Sequence, residues 1–292
     1  MLFSGLLSCA VYVLHHANIL RFSLPFSLSA ILGSALAIFI AFRNNTAYAR
    51  WWEARSLWGS IVNSSRVLAR LIITFTDSHA HQPQYNREKS EAFKRQLVHL
   101  CIAWPHVLRM QLRNSFDPSV LAPYLHETDL NALTQAQQKP NFLHLLMGKK
   151  IYQAMADGTL GGFDSFQMEG QLVALAHAQG GCERIKNTPL LRQYHFFTQV
   201  FLYTFMGLLP FTLVGDFDKP GVAAWLIPLS LLMSFVFAII AKVGEVNEDP
   251  FENRITDVPL TAICNTIERD LLEMLGESTL PEKALPQQGY LY

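Results

Sequence analysis

The chain has 292 residues, 50% of them hydrophobic and 16% charged, with 23 basic residues against 23 acidic ones. Soluble domains carry about 25% charged residues, so an ordinary soluble enzyme is excluded, yet the charges are too many for a chain embedded throughout in a membrane. The balanced charge lacks the basic surface of a nucleic-acid binder.

Residues 2–20, "LFSGLLSCAVYVLHHANIL", carry no formal charge and read as a first membrane span. No basic residue precedes the run and no small-x-small cleavage site stands out, which argues against a signal peptide. It starts directly after Met1, which leaves open whether the native N-terminus is longer. His15 and His16 lie inside it. An intramembrane ionisable residue suggests function, but near the outer surface a histidine costs little, and the structural reading is preferred.

Residues 22–42, "FSLPFSLSAILGSALAIFIAF", form a second uncharged run. It is crowded with Ser27, Ser29, Ala30, Gly33, Ser34, Ala35, Ala37 and Ala41, and small residues let helices approach closely in a bilayer. Ser34, Ile38 and Phe42 recur every four residues and share one helical stripe. Spacing alone leaves two readings open: core packing within one chain, or a pore lined by copies of this helix.

Charge returns at "FRNNTAYARWWEARSLWG", residues 42–59. Residues 43–70 hold Arg43, Arg50, Arg55, Arg66 and Arg70 against Glu53. The connection after the first span has only Arg21, and "DFDKPG" between the later spans has one lysine and two aspartates. The positive-inside rule then places 43–194 and 242–292 in the cytoplasm, with both termini inside. At least some of Trp51, Trp52 and Trp58 should pack cytosolic helices.

The spacing predicts a helix over 46–76 continuing from the second span, and another over 89–113 that Pro105 should kink or end. "DSHAHQPQYN" and "HETDLNALTQAQQKPN" read as turns and polar connections. "GTLGGFDSF" at 158–166 reads as a loop. Residues 195–215 and 220–241 are the third and fourth uncharged runs, with His195 at the inner interface. Glu245, Glu248, Asp249 and Glu252 follow. Carboxylate oxygens suit a hard cation, but an acidic surface pairing with the arginines of 43–70 is the preferred reading. Arg43 in particular should turn outward to the acids near Glu245. Pro250 breaks the chain, a helix runs from about Pro259 to Leu275, and the tail 276–292 should be loosely ordered.

No nucleotide-binding, zinc-protease or serine-hydrolase motif occurs. Cys9, Cys101, Cys182 and Cys264 form no CxxC pair, giving neither a zinc knuckle nor a disulfide framework; all four read as single buried thiols. No catalytic, metal or cofactor site is expected. A non-conducting membrane adaptor and a membrane-embedded enzyme stand as alternative functions; an enzyme would need clustered histidines and carboxylates that the sequence does not offer.

"FRNNTAYARWWEARSLWG" resembles the bestrophin family, especially its bacterial branch. "TQV" at 198–200 with "LVG" at 213–215, "NEDPFE" at 247–252 and "VPLTAICNTIERDLL" at 258–272 agree with it. The resemblance covers most of 22–275. It implies an all-α membrane protein with four transmembrane helices and a cytosolic helical bundle, assembled as a homopentameric ion channel around a central pore. The parts would be 1–42 (spans one and two), 43–194 (cytosolic), 195–241 (spans three and four) and 242–292 (cytosolic segment and tail). The partners would be further copies of the chain, permeating monovalent ions (chloride and other anions, or sodium-like cations) and lipid, in the bacterial inner membrane. The resemblance puts the narrow neck at Ser34, Ile38 and Phe42. Because Ser34 stands where relatives have a large apolar residue, two apolar rings, Ile38 and Phe42, are expected. A lower, cytosolic constriction would fall at about Tyr203. Glu252-Asn253-Arg254 lacks the acidic run of animal members, so no calcium clasp is expected.

Overall fold

The computed structural model describes residues 2–83, 85–218, 222–286 and 289–291. Part of the "DFDKPG" connection, residues 219–221, lies outside them. Among the described residues the regular structure is helical throughout, with no strand. The chain divides into two compact units, Met1–Arg50 with Pro189–Glu248, and Trp51–Thr188 with Asp249–Tyr292.

The first unit contains α1 (Leu2–His16), the Phe26–Arg50 part of α2 (Phe26–Ser78), α7 (Arg192–Asp216) and α8 (Leu226–Val246). Arg43 and Arg50 both bond to Glu248 within this unit. Helical stretches including α2, α7 and α8 are each long and apolar enough to cross a membrane, whereas α1 is a shorter apolar helix of 15 residues. It stops before the expected Leu20 because Asn18 adopts a left-handed backbone (φ 59°), and the Ile19 N–H turns back to the Leu14 carbonyl at 3.0 Å. This is a Schellman-type helix end.

α1 packs on α7 and α8, and α7 on α8. Apolar burial gives little drive between helices in lipid, so small residues and hydroxyls take over. Ser4 pairs with Ser234 at 3.0 Å and Ser8 with Ser230 at 2.6 Å, all four buried. Leu36 and Ile40 of α2 are enclosed with Phe205, Leu209 and Leu213 of α7.

The second unit contains the rest of α2, α3 (Arg87–Leu112), α4 (Glu127–Gln135), α5 (Lys139–Ala156), α6 (Gly162–Asn187) and α9 (Leu260–Met274). α3 lies at its centre, against α5, α6 and α9. Pro105 does not end α3: the helix continues to Leu112, with Trp104, Pro105 and His106 all buried. That packing offsets the lost backbone bond. Trp58 is fully buried, Trp51 donates from Nε1 to the Thr256 carbonyl at 3.0 Å, and Trp52 is exposed.

Two expected loops are helical. Leu133 is buried on α4, inside the supposed polar connection. "GTLGGFDSF" opens α6, where the Asp164 carboxylate accepts the Gly161 N–H at 2.9 Å and pairs with His79 Nε2 at 2.6 Å. The tail is held as far as Ala284: Asn265 donates to the Glu282 carbonyl and accepts from the Ala284 N–H, both at 3.0 Å. Cys101, Cys182 and Cys264 are buried as expected, but Cys9 is exposed.

One polar cluster stitches the second unit together. Glu268 of α9 pairs with His106 of α3 at 3.1 Å and accepts the Tyr124 hydroxyl. Burial pushes the Glu268 carboxyl up, but the bonds from His106 and Tyr124 outweigh it and hold the group below its ordinary value. Such a group stabilises the fold fully above its unfolded value of about 4.3 and loses that contribution as pH falls through the lower folded value. Glu268→Gln should therefore cost about 1–3 kcal/mol at neutral pH and remove part of the acid sensitivity below about pH 4.3. Denaturant midpoints measured across pH check both effects. Equal midpoints for the two proteins at pH 7 would contradict them.

Candidate functional site

In its first-unit part, α2 has one face packed and one bare. On the packed face, a Cβ built on Gly33 would stand 3.2 Å from the Phe205 ring, so a larger residue there would have to push that ring away by a few tenths of an ångström. Phe39 meets Phe201 with ring centres 5.0 Å apart, Ser29 bonds Thr212 at 2.5 Å, and Asn44 Nδ2 donates to the Ile240 carbonyl at 3.0 Å. A Cβ at Gly244 would fall 1.9 Å from Asn44 Oδ1, so any other residue there would displace the Asn44 side chain from its bond to Ile240.

The bare face carries Ala30, Ser34, Ile38, Phe42 and Thr46, all exposed. Successive members are one turn, about 6 Å, apart along the axis. Ile38 is 56% exposed and Phe42 64%, on a helix whose opposite side is fully enclosed. Hydroxyls flank this apolar pair. Ser34 donates to the Ala30 carbonyl at 2.8 Å and Thr46 to the Phe42 carbonyl at 2.9 Å. Their protons are thus spent on the backbone, and what they turn outward is acceptor lone pairs. Thr46 escaped the sequence reading, although it continues the four-residue spacing.

The nearby cations turn away from this face. Arg43, only 2% exposed, donates to Glu248 Oε1 from Nε at 2.8 Å and from Nη2 at 2.6 Å. Nη2 also reaches His195 Nδ1 at 3.0 Å. Arginine only donates, so Nδ1 is the acceptor and the histidine proton sits on Nε2. That nitrogen faces the Gln199 side-chain amide at 2.8 Å, which must present its oxygen. Arg50 donates to the Glu248 backbone carbonyl at 3.0 Å. Arg43 therefore finds an acid as expected, at Glu248, while Glu245 pairs with Lys242 at 2.5 Å. His195 orients the arginine, a role its place at the start of a span did not reveal.

Tyr203 lies on α7 and is 60% exposed. Phe205 sits against Gly33 and Phe201 against Phe39, so Tyr203 falls level with the middle of the Ser34–Ile38 stretch and not beyond Phe42. The antiparallel run of α7 against α2 sets this depth, which sequence spacing could not show.

In the second unit, Glu252 pairs with Lys186, and Asn253 takes a left-handed backbone (φ 64°). Asp257 accepts the Arg254 N–H at 3.0 Å, and burial pushes its carboxyl above the ordinary value. At the far end of the first unit, His15 Nδ1 lies 3.8 Å from Asp218 and His16 stacks on Tyr12, in keeping with structural roles.

A family profile described as "Bacterial/Fungal Bestrophin protein" matches residues 1–273. The chain belongs to the bestrophin family. Among bestrophin relatives, the voltage-dependent anion channel-forming protein YneE of Escherichia coli (strain K12) is 37% identical over 274 residues, covering 93% of this chain and 83% of that protein. The voltage-dependent anion channel-forming protein RSc3414 of Ralstonia nicotianae is 30% identical, covering 89% and 79%. The crystal structure of a bacterial bestrophin homolog from Klebsiella pneumoniae superposes with a TM-score of 0.84 at 32% identity, covering 95% of this chain and 98% of that one. The bestrophin fold accounts for the helical architecture of the chain.

Proposed function

We propose that this bestrophin is a subunit of a homopentameric channel for small monovalent ions, with chloride-like anions the first candidates. Five copies of α2 would stand around one axis, and Ile38 and Phe42 would form the apolar neck, with Ser34 a turn further out. One observation carries this reading: an exposed stripe of large apolar side chains on a helix whose other side is fully packed. Apolar rings in a narrow pore gate by dewetting.

The neck sets no charge preference by itself, because its members are neutral and Arg43 and Arg50 are engaged with Glu248. The anion assignment leans on the names of the two relatives. The excess of arginine after the second span supports a bacterial inner-membrane location with both termini cytoplasmic. α1 would be the fourth, shortest span, accommodated by local thinning of the bilayer. Tyr203, level with the neck, would support the neck wall or face lipid.

Two measurements test the proposal. Native mass spectrometry of the detergent-solubilised protein should give five times the 33.0 kDa subunit mass. Reversal potentials of the purified protein in asymmetric NaCl should lie toward the chloride equilibrium potential. A monomer without current would sink the channel reading, and a reversal potential at the sodium value would overturn the anion assignment.

A further inference from the structure

A cavity of about 350 Å³ opens in the second unit between α3, the segment before α4, α4 itself and α5. That size falls within the range of small-molecule sites, about 300–1,000 Å³. Its apolar part comes from Ala92, Leu100, Pro123 and Leu125, with Leu100 and Leu125 buried. Its polar part holds Arg95, Gln96, His99, His126, Asp129 and Lys150.

These polar groups are unevenly accounted for. Arg95 pairs with Glu277 at 2.9 Å. Asp129 lies in the first turn of α4, where the positive end of the helix dipole stabilises a carboxylate. Lys150 is half-buried and makes no ion pair or hydrogen bond with any described residue. A half-buried ammonium costs free energy unless something balances it. His99 is half-buried as well, its ring edge-on to Tyr124 at 5.5 Å between centres. Burial first, then the positive charge of Arg95, lowers the His99 pKa, and the effect of Arg95 and His126 outweighs the pull of Glu277. A neutral imidazole there still offers one N–H.

We propose that this cavity binds a small organic carboxylate, its head bonded by Lys150 and the His99 N–H and its carbon body laid on Leu100, Pro123 and Leu125. The apolar lining favours an organic anion over a bare inorganic one, and the uncompensated cation favours an anion over a neutral molecule. The site is separate from the stripe on α2 and stands whether or not that stripe conducts ions.

The test uses the full-length protein in detergent, with benzoate as probe and benzamide as its uncharged counterpart, by titration calorimetry. Saturable binding of one benzoate per chain is expected, with none for benzamide. Lys150→Met should weaken benzoate binding about tenfold or more without lowering the melting temperature of the free protein. No saturable benzoate binding to the wild-type protein, or equal binding of benzamide, would overturn the proposal whatever the variant does. Unchanged benzoate affinity in a folded Lys150→Met protein would overturn the role given to that ammonium.

Discussion

Replacing Arg43 with methionine should destabilise the protein by about 3–5 kcal/mol, the cost of breaking a buried ion pair by removing one partner. The side chain is 2% exposed and that of Glu248 18%, so water can do little to solvate the carboxylate left behind. The loss extends beyond one pair, because Nη2 also holds His195. Lysine should not rescue the site. A single ammonium on a flexible stem cannot reproduce the planar fork that meets Glu248 and His195 together. Adding Glu248→Gln to Arg43→Met removes the orphaned charge and should recover part of the loss. Thermal unfolding in detergent of the wild type, Arg43→Met, Glu248→Gln and the double variant, treated as a double-mutant cycle, measures the coupling. An Arg43→Met protein as stable as the wild type would show that the pair does not hold α2 against the end of α8.

The second large effect concerns Ile38 and Phe42. If they ring the neck, Phe42→Ala removes five phenyl groups from one level of the assembly, and Ile38→Ala strips most of the ring one turn away. Both changes leave the packed face of α2 untouched, so the fold should survive. Widening an apolar constriction lowers the barrier to wetting, and a barrier reduced by about 1.4 kcal/mol raises the rate tenfold. Single-channel conductance should rise several-fold in each variant and further in the double one. Selectivity should weaken, because a wider neck demands less dehydration of each ion. Unchanged conductance and selectivity in both variants would remove these residues from the pathway.

Most of the helical frame was legible in the sequence because it rests on local signals. α2 was read as one helix from the second span onward, since its apolar spacing never breaks. α9 was placed within a residue at each end by Pro259 and the apolar register after it. The partner of Arg43 was foreseen as one of four acids, but choosing Glu248 over Glu245 depends on where α8 ends relative to α2. The misses share a cause, which is that tertiary packing overrode local preference. Pro105 sits inside a helix because α5, α6 and α9 enclose α3. "GTLGGFDSF" begins a helix because Asp164 bonds Gly161 and His79 together, and His79 is distant in sequence. The depth of Tyr203 follows from α7 running antiparallel to α2. Within the candidate site, Ser34, Ile38 and Phe42 were visible as a stripe, and the structure adds that the stripe is bare, that Thr46 extends it, and that Arg43 and Arg50 are engaged with Glu248.

Thiol accessibility tests most directly whether this stripe lines an ion pathway. In a Cys9→Ala background the remaining thiols, Cys101, Cys182 and Cys264, are buried and pushed up to about 12 by burial, so they are unreactive near neutral pH. Ile38→Cys and Phe42→Cys would be placed in that background, with Leu232→Cys, exposed on α8, as the control. A charged methanethiosulfonate reagent should block most of the current through the first two and none through the control. Undiminished current in both stripe variants, or equal block at Leu232→Cys, would contradict the account.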